Sequence, residues 1–107
     1  MNEFRISGIL VERAALRFTP AGVAVVEAQI RHQSAVMEAG TPRTVEFVVR
    51  AIGLGPIAKE LEHEALGARL DLSGFLTTRS RRSARLVLHL TGMRRTQEDE
   101  RRDLSGS

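Results

Sequence analysis

Five short segments with strand-like alternation of apolar side chains constrain the fold of this 107-residue chain more than any other feature. Apolar residues recur at every second position in these segments, which is the periodicity of a β-strand with one face on a core. Turn residues separate the segments: residues 19–22 read Thr-Pro-Ala-Gly, and residues 33–42 are expected to form a loop. The predicted strands cover residues 4–13, 23–32, 43–52, 68–78 and 85–94.

The first predicted strand is apolar on both of its faces. Its inward side chains are expected to be Phe4, Ile6 and Leu10. Gly8 is expected at a bend or bulge. Ile9 and Val11 then point outward and lack a burial site in a lone monomer. Because a small barrel also has strand edges that must be covered, we predict a homodimer with Ile9 and Val11 at its interface.

A short helix is predicted between the third and fourth strands. Pro56 begins it and Gly67 follows its end. The inward side chains of this segment are expected to be Ile57, Leu61 and Leu66. Five strands with one helix after the third is the element order of the OB-fold, a small barrel that binds oligonucleotides across its second and third strands and through two of its loops. We therefore predict an all-β, five-stranded OB-fold Greek-key barrel with a short helix between strands 3 and 4.

The composition, 42% hydrophobic and 27% charged, is that of a globular protein with one domain. From residue 97 the chain is polar, net acidic and without periodicity, so we expect an OB-fold domain over residues 1–95 and a disordered polar tail over residues 96–107. The absence of cysteine excludes disulfides and thiolate chemistry. No signal peptide pattern or membrane-spanning apolar run is present, which predicts a cytoplasmic location.

The loop between the fourth and fifth predicted strands is almost purely basic. Within residues 79–85, which we call the arginine loop, four arginines are separated only by serine and alanine. They are Arg79, Arg81, Arg82 and Arg85. A guanidinium can donate two hydrogen bonds to a phosphate or stack flat on a base. No acidic residue in the loop competes with nucleic acid for these arginines. The loop coincides with one of the two loops through which OB-folds bind oligonucleotides, so we predict that it contacts nucleic acid.

Three further arginines extend this prediction along the barrel. Arg17 lies in the first loop, while Arg31 and Arg50 point outward from the second and third strands. The alternative is a solvated strand face on which Glu27 and Glu46 pair with the strand arginines.

Few aromatic rings are available to stack on bases, since the chain has four Phe and no Trp or Tyr. Phe4 and Phe47 fall on predicted core positions, which leaves Phe18 and Phe75 as candidates. Binding is therefore expected to depend on phosphate contacts and arginine stacking.

Catalytic, metal and cofactor chemistry is not predicted. Residues 53–58 imitate a dinucleotide-binding pattern, but the helix is too short and no second strand-helix unit follows. The three histidines, His32, His63 and His89, lie on separate elements without an acidic cluster to complete a metal site. No serine has a nucleophile-elbow setting, and no carboxylate pair suits acid–base work.

Short motifs follow one another along the chain in a characteristic order. They are Ser7-Gly8, Arg13-Ala14, Leu16-Arg17, Thr19-Pro20-Ala21-Gly22, His32 with Ser34, Glu38-Ala39-Gly40, Gly74-Phe75 and Leu88-His89. In order and spacing, residues 2–95 resemble primosomal replication protein N, a family of bacterial restart-primosome subunits related to single-stranded DNA-binding protein.

The resemblance implies a dimeric OB-fold that binds single-stranded DNA at the nucleoid and couples the restart helicase to the helicase-loader machinery. It carries basic DNA contacts over to Arg17 and Arg85 and to the arginine loop. Thr41 and Glu46 stand where better-known members have aromatic residues. We therefore expect weaker DNA binding than in those members.

The predicted function is that of a non-enzymatic, single-stranded DNA-binding accessory protein of replication restart. Two alternatives stay open. The first is an OB-fold protein-interaction module with secondary nucleic-acid binding, which the loss of family aromatics favours. The second is an RNA-binding OB protein, because phosphate contacts alone do not distinguish the two sugars.

Overall fold

The computed structural model describes residues 1–96, which form six strands and one helix. The elements are β1 (Phe4–Arg13), β2 (Arg17–Phe18), β3 (Ala24–Glu38), β4 (Thr41–Leu54), α1 (Pro56–His63), β5 (Arg69–Thr78) and β6 (Leu86–Arg95). The two-residue β2 only extends the edge of β3. The number and order of the five long strands and the helix are those predicted from the sequence, although β3 and β4 extend further toward each other than predicted. The predicted tail lies outside the described residues except for Thr96, whose backbone N–H donates to the Arg69 carbonyl at 3.0 Å.

The five long strands close into a barrel, which confirms the predicted OB-fold. Their order is β1-β5-β6-β4-β3, and β1 pairs back onto β3. All neighbours are antiparallel except β4 and β6, whose short parallel seam pairs Ala51 with Leu88 and Ile52 with His89. This seam joins the last described strand to the middle of the chain.

The β1 strand bends at a different place from the one predicted. The register on β3 shifts between Leu10 and Glu12, so that β1 pairs with β5 through its first half and with β3 through its second. Gly8 serves a close approach instead: a Cβ there would lie 2.5 Å from Ile30 Cγ2 and 2.7 Å from the Arg31 carbonyl oxygen. The prediction of a bulge at Gly8 is therefore wrong, although a side chain is still excluded at that position.

The prediction of a loop over residues 33–42 is also wrong. Strands β3 and β4 pair without interruption from Val25 opposite Leu54 to Glu38 opposite Thr41. Only Ala39 and Gly40 form the turn, with φ angles of 50° and 78°. Two central residues of positive φ match the right-handed twist of a hairpin, so the strands continue up to the turn. The two strands therefore form a long arm beyond the barrel.

The core fills the barrel, and α1 closes one of its ends. The largest fully buried side chains are Leu10, Val25, Val26, Ile30, Leu61, Leu70 and Leu88. From α1, Ala58 and Leu61 are buried, and Ile57 packs against the core as predicted. Leu66 was predicted inward but is 59% exposed, because α1 ends at His63 and the chain turns before reaching the core again. No helix within residues 1–96 is long and apolar enough to cross a membrane.

Candidate nucleic-acid interface

The outer face of the β3–β4 hairpin carries two of the predicted arginines. Arg31 lies opposite Val48, and Arg50 lies opposite Gln29. The two arginines are therefore diagonal neighbours on one face of the hairpin, and both are exposed. Neither forms an ion pair with another residue of the described part of the chain. Their charges are available to an external anion.

Glu27 binds two other predicted arginines instead of Arg31 and Arg50. Its Oε2 lies 3.1 Å from an Arg17 guanidinium nitrogen, and its Oε1 lies 3.1 Å from an Arg79 guanidinium nitrogen. We call this arrangement the Glu27 bridge. It connects β2 with the start of the arginine loop across the N-terminal part of β3. The pairing that the sequence suggested as an alternative for the strand arginines is thus formed by different residues.

The tip of the arginine loop has no such partner. Arg81, Arg82 and Arg85 are exposed and form no ion pair within the described residues. The backbone of the loop is held by a turn in which the Ser83 N–H donates to the Ser80 carbonyl at 3.1 Å. The Ser83 hydroxyl in turn accepts from the Arg85 N–H at 3.1 Å. The loop therefore presents three uncompensated positive charges on a backbone of defined shape.

Two depressions join Arg50 to the arginine loop, whereas Arg31 borders a third one beside Ser7 and His32. The first, of about 380 Å³, lies beside the Glu27 bridge, and Arg50 and Arg79 both line it. The second, of about 450 Å³, has an apolar floor that includes Phe47 and Val49, with Arg50 and Arg85 at its edge. Because Arg50 borders both depressions, basic side chains follow one another from β2 to the loop. We call the set formed by Arg17, Arg31, Arg50 and the arginine loop the basic face.

Three exposed rings accompany the basic face, and the sequence predicted only two of them. Phe18 is 60% exposed, and Phe75 is 39% exposed and stacks on His89 with ring centroids 5.1 Å apart. Phe47 was predicted to lie in the core but is also 39% exposed, next to the His32 ring. The reason is that β4 has left the barrel for the arm at this point.

The polar residues around Ser7, beside Arg31, are engaged with one another. Asp71 accepts hydrogen bonds from the hydroxyls of Thr96 and Ser7, each at 2.7 Å, and pairs with Arg94 at 3.3 Å. These contacts, the Thr96 hydrogen bond first, lower the pKa of Asp71 below its ordinary value of 3.8, although burial partly opposes them. His32 donates through Nδ1 to the Ser7 carbonyl at 2.7 Å. No three potential metal ligands converge within residues 1–96.

The residues predicted at a dimer interface lie on the outer side of β1. Val11 is 36% exposed and Ile9 is partly buried. Ile9 occupies the position where β1 passes from β5 to β3, opposite Arg69 on one side and Arg31 on the other.

A closed OB barrel with a basic, partly aromatic outer face defines a class, that of the OB-fold single-strand binding proteins. Residues 2–92 match a family described as "another single-strand binding protein family". The chain is 39% identical to the replication restart protein PriB of Bordetella pertussis over 95 residues, 89% of each chain. It is 34% identical to PriB of Nitrosomonas europaea over 93 residues, 87% of this chain and 86% of the relative.

Comparison with solved structures supports the same family assignment. PriB from Ralstonia solanacearum superposes with a TM-score of 0.79 at 39% identity, covering 89% of this chain and 97% of that one. The single-stranded DNA-binding protein from Thermus aquaticus shares the fold, with a TM-score of 0.72 over 90% of this chain and 50% of that one, at 21% identity. The chain belongs to the single-strand binding protein family and, within it, to the replication restart PriB proteins. The resemblance found in the sequence is confirmed.

Proposed function

We propose that this chain is a non-enzymatic accessory protein of replication restart that binds single-stranded DNA through its basic face. Membership of the PriB family supports the biological role. The observation that carries the binding proposal is the run of exposed arginines around the depressions that Arg50 borders. Phosphates spaced along a strand would engage Arg50, Arg85 and the loop tip in turn, and arginine planes and the Phe47 ring would stack on bases without reading their sequence.

Binding of a partner helicase and a helicase loader belongs to the same proposal, as does a homodimer. Family resemblance supports the first. For the second, Val11 offers an exposed apolar side chain on β1 beside the partly buried Ile9. Two copies related by a two-fold axis would cover these residues and present two basic faces, so that one DNA strand could engage both and gain by effective concentration.

A protein-interaction module is the second candidate function, and the arm favours it. Val36, Met37 and Val48 are exposed on the arm, and Glu46 adds a negative charge to its outer face. These residues suit a protein partner better than a polyanion. In this case nucleic-acid binding would be weak and secondary, whether to DNA or to RNA.

Titration of fluorescein-labelled oligo-dT, matched RNA and duplex DNA at two salt concentrations tests the binding proposal. An external label is needed because the chain has no Trp or Tyr. We expect oligo-dT to bind more tightly than duplex DNA, with an affinity that falls as salt rises. Equal or absent binding of all three probes at low salt would favour the interaction module, and a preference for the RNA probe would favour an RNA-binding role.

Sedimentation at micromolar concentration tests the dimer. The wild type should have twice the chain mass, and Val11→Lys should shift it toward monomer because a charge cannot be buried in an apolar interface without cost. Leu66→Lys is the matched control, since Leu66 is an exposed apolar residue beyond α1. A monomeric wild type, or an equal effect of both variants, would contradict an interface at Ile9 and Val11.

A further inference from the structure

The Glu27 bridge places a carboxylate at the centre of the basic face. Both of its oxygens are engaged, one by Arg17 and the other by Arg79, while the Glu27 side chain itself is 30% exposed. The two arginines remain 56% exposed. The pair of guanidiniums therefore binds an internal anion at a position that DNA could reach.

A carboxylate and a phosphate present similar acceptor oxygens to a guanidinium, and arginine binds both in a forked geometry. A phosphate that approaches Arg17 and Arg79 must displace the Glu27 carboxylate or accept its negative charge as a neighbour. In contrast, Arg50 and the loop-tip arginines have no ion pair within residues 1–96 to give up. The basic face thus contains arginines of two kinds, separated by whether an internal anion competes for them.

We propose that Glu27 is an affinity-setting residue: its carboxylate competes with DNA phosphate for Arg17 and Arg79 and weakens single-stranded DNA binding. This inference rests on the proposed DNA-binding function and assigns a role within it to a residue that does not itself attract DNA. It has a mechanical consequence as well, because DNA that displaces Glu27 also releases the contact between β2 and the arginine loop.

Glu27→Gln keeps the size of the side chain and removes its charge. We expect this variant to bind labelled oligo-dT about threefold to tenfold more tightly at low salt, since each exposed ion pair that DNA must break is a modest cost. The slope of log affinity against log salt should steepen by up to about 1.4, corresponding to two additional phosphate contacts. Melting temperatures verify that each variant is folded.

Glu38→Gln is the matched control. Glu38 lies on the same strand and forms an exposed ion pair with Arg43 at 2.6 Å, so the substitution removes the same charge and one pair away from the bridge. It should change affinity much less than Glu27→Gln. In the double variant Glu27→Gln/Arg79→Ala, the gain from the Gln substitution should shrink, because one of the two released guanidiniums is missing.

The possible outcomes distinguish a failure of the proposed role of Glu27 from a failure of the proposed DNA-binding function. Unchanged or weaker binding by Glu27→Gln, with normal binding by the wild type, overturns the role of Glu27 and leaves the DNA-binding function intact. An equal gain from Glu38→Gln also overturns it, because net charge alone would then explain the effect. Failure of all variants and the wild type to bind oligo-dT at low salt overturns both proposals together.

Discussion

The two ends of the β5–β6 hairpin have opposite properties. Toward the barrel end, the register shifts at Gly74, where a Cβ would lie 1.9 Å from the His89 carbonyl oxygen, so no side chain fits without moving the backbone. At the other end, Arg81 and Arg82 are exposed and contribute no packing. The comparison teaches that one hairpin separates the packing that maintains the fold, at its barrel end, from the exposed charge at its tip, where we propose that DNA binds.

The largest effect is expected from Gly74→Ala at the barrel end. The added Cβ would force the β5 and β6 backbones apart, and we expect the free energy of unfolding to fall by about 3 kcal/mol. Urea denaturation followed by circular dichroism measures it. Gly22→Ala is the control, because Gly22 has open space around its Cβ position and only a positive φ of 85°. It should cost about 1 kcal/mol; an equal loss would contradict a steric cause at Gly74.

The next largest effect is expected at the tip, on binding alone. Replacing Arg81, Arg82 and Arg85 with Ala should weaken oligo-dT binding by about tenfold or more at low salt. The salt dependence should flatten by up to about 0.7 for each phosphate that the variant no longer binds. The melting temperature should barely change, because exposed loop charges contribute little to folding.

The control for the tip variant removes three positive charges from another part of the protein surface. Arg5, Arg43 and Arg94 are exposed arginines outside the basic face, and each has an acidic partner. Their joint replacement with Ala should leave most of the DNA affinity in place. A salt slope that stayed at the wild-type value in the tip variant would remove the loop from the interface.

A third prediction concerns the pH dependence of the barrel end. The folded-state pKa of Asp71 lies below 3.8, so its ionised form stabilises the fold above that pH, and this contribution is lost as the pH falls through the folded-state pKa. Asp71→Asn should therefore lower the free energy of unfolding by about 1 kcal/mol at pH 7. The difference from wild type should shrink below about pH 3.8. Denaturation curves at several pH values measure both; a constant difference would contradict the assignment.

The smallest effect is a change in stability expected at Arg79, the first residue of the arginine loop. Arg79 has an ion pair with Glu27 and Arg81 has none within the described residues. Arg79→Ala should lower the free energy of unfolding by about 0.5 kcal/mol, an effect that salt screens, and Arg81→Ala should leave it unchanged. Equal stabilities of the two variants at low salt would show that the Glu27 bridge contributes nothing to folding.

The barrel itself could be predicted because its signals are local. Alternating apolar residues, Pro56 at a helix start and Gly67 beyond its end specify five strands and one helix without knowledge of their neighbours. The same local rules misplaced the arm, because Gly40 and Pro42 resemble strand breakers although Gly40 belongs to a two-residue turn. The wrong prediction that Phe47 lies in the core followed from that error.

The arginines of the candidate site were predicted from their positions in predicted loops and on outward strand faces, but their pairing was not. Glu27 lies 10 residues from Arg17 and 52 from Arg79, and only the closed barrel brings the three together. The shift of the β1 bend from Gly8 to the Leu10–Glu12 region has a similar origin, since it depends on how two partner strands share β1.

The parallel seam between β4 and β6 also has a consequence for how the protein is made. Leu88, a fully buried core residue, lies on the last described strand, and the barrel cannot close before that strand joins β4 and β5. During synthesis the earlier strands emerge from the ribosome first, with their apolar faces uncovered. We therefore expect the nascent chain to stay open until β6 is released, so that the proposed DNA-binding surface forms only after nearly all of the described chain has been translated.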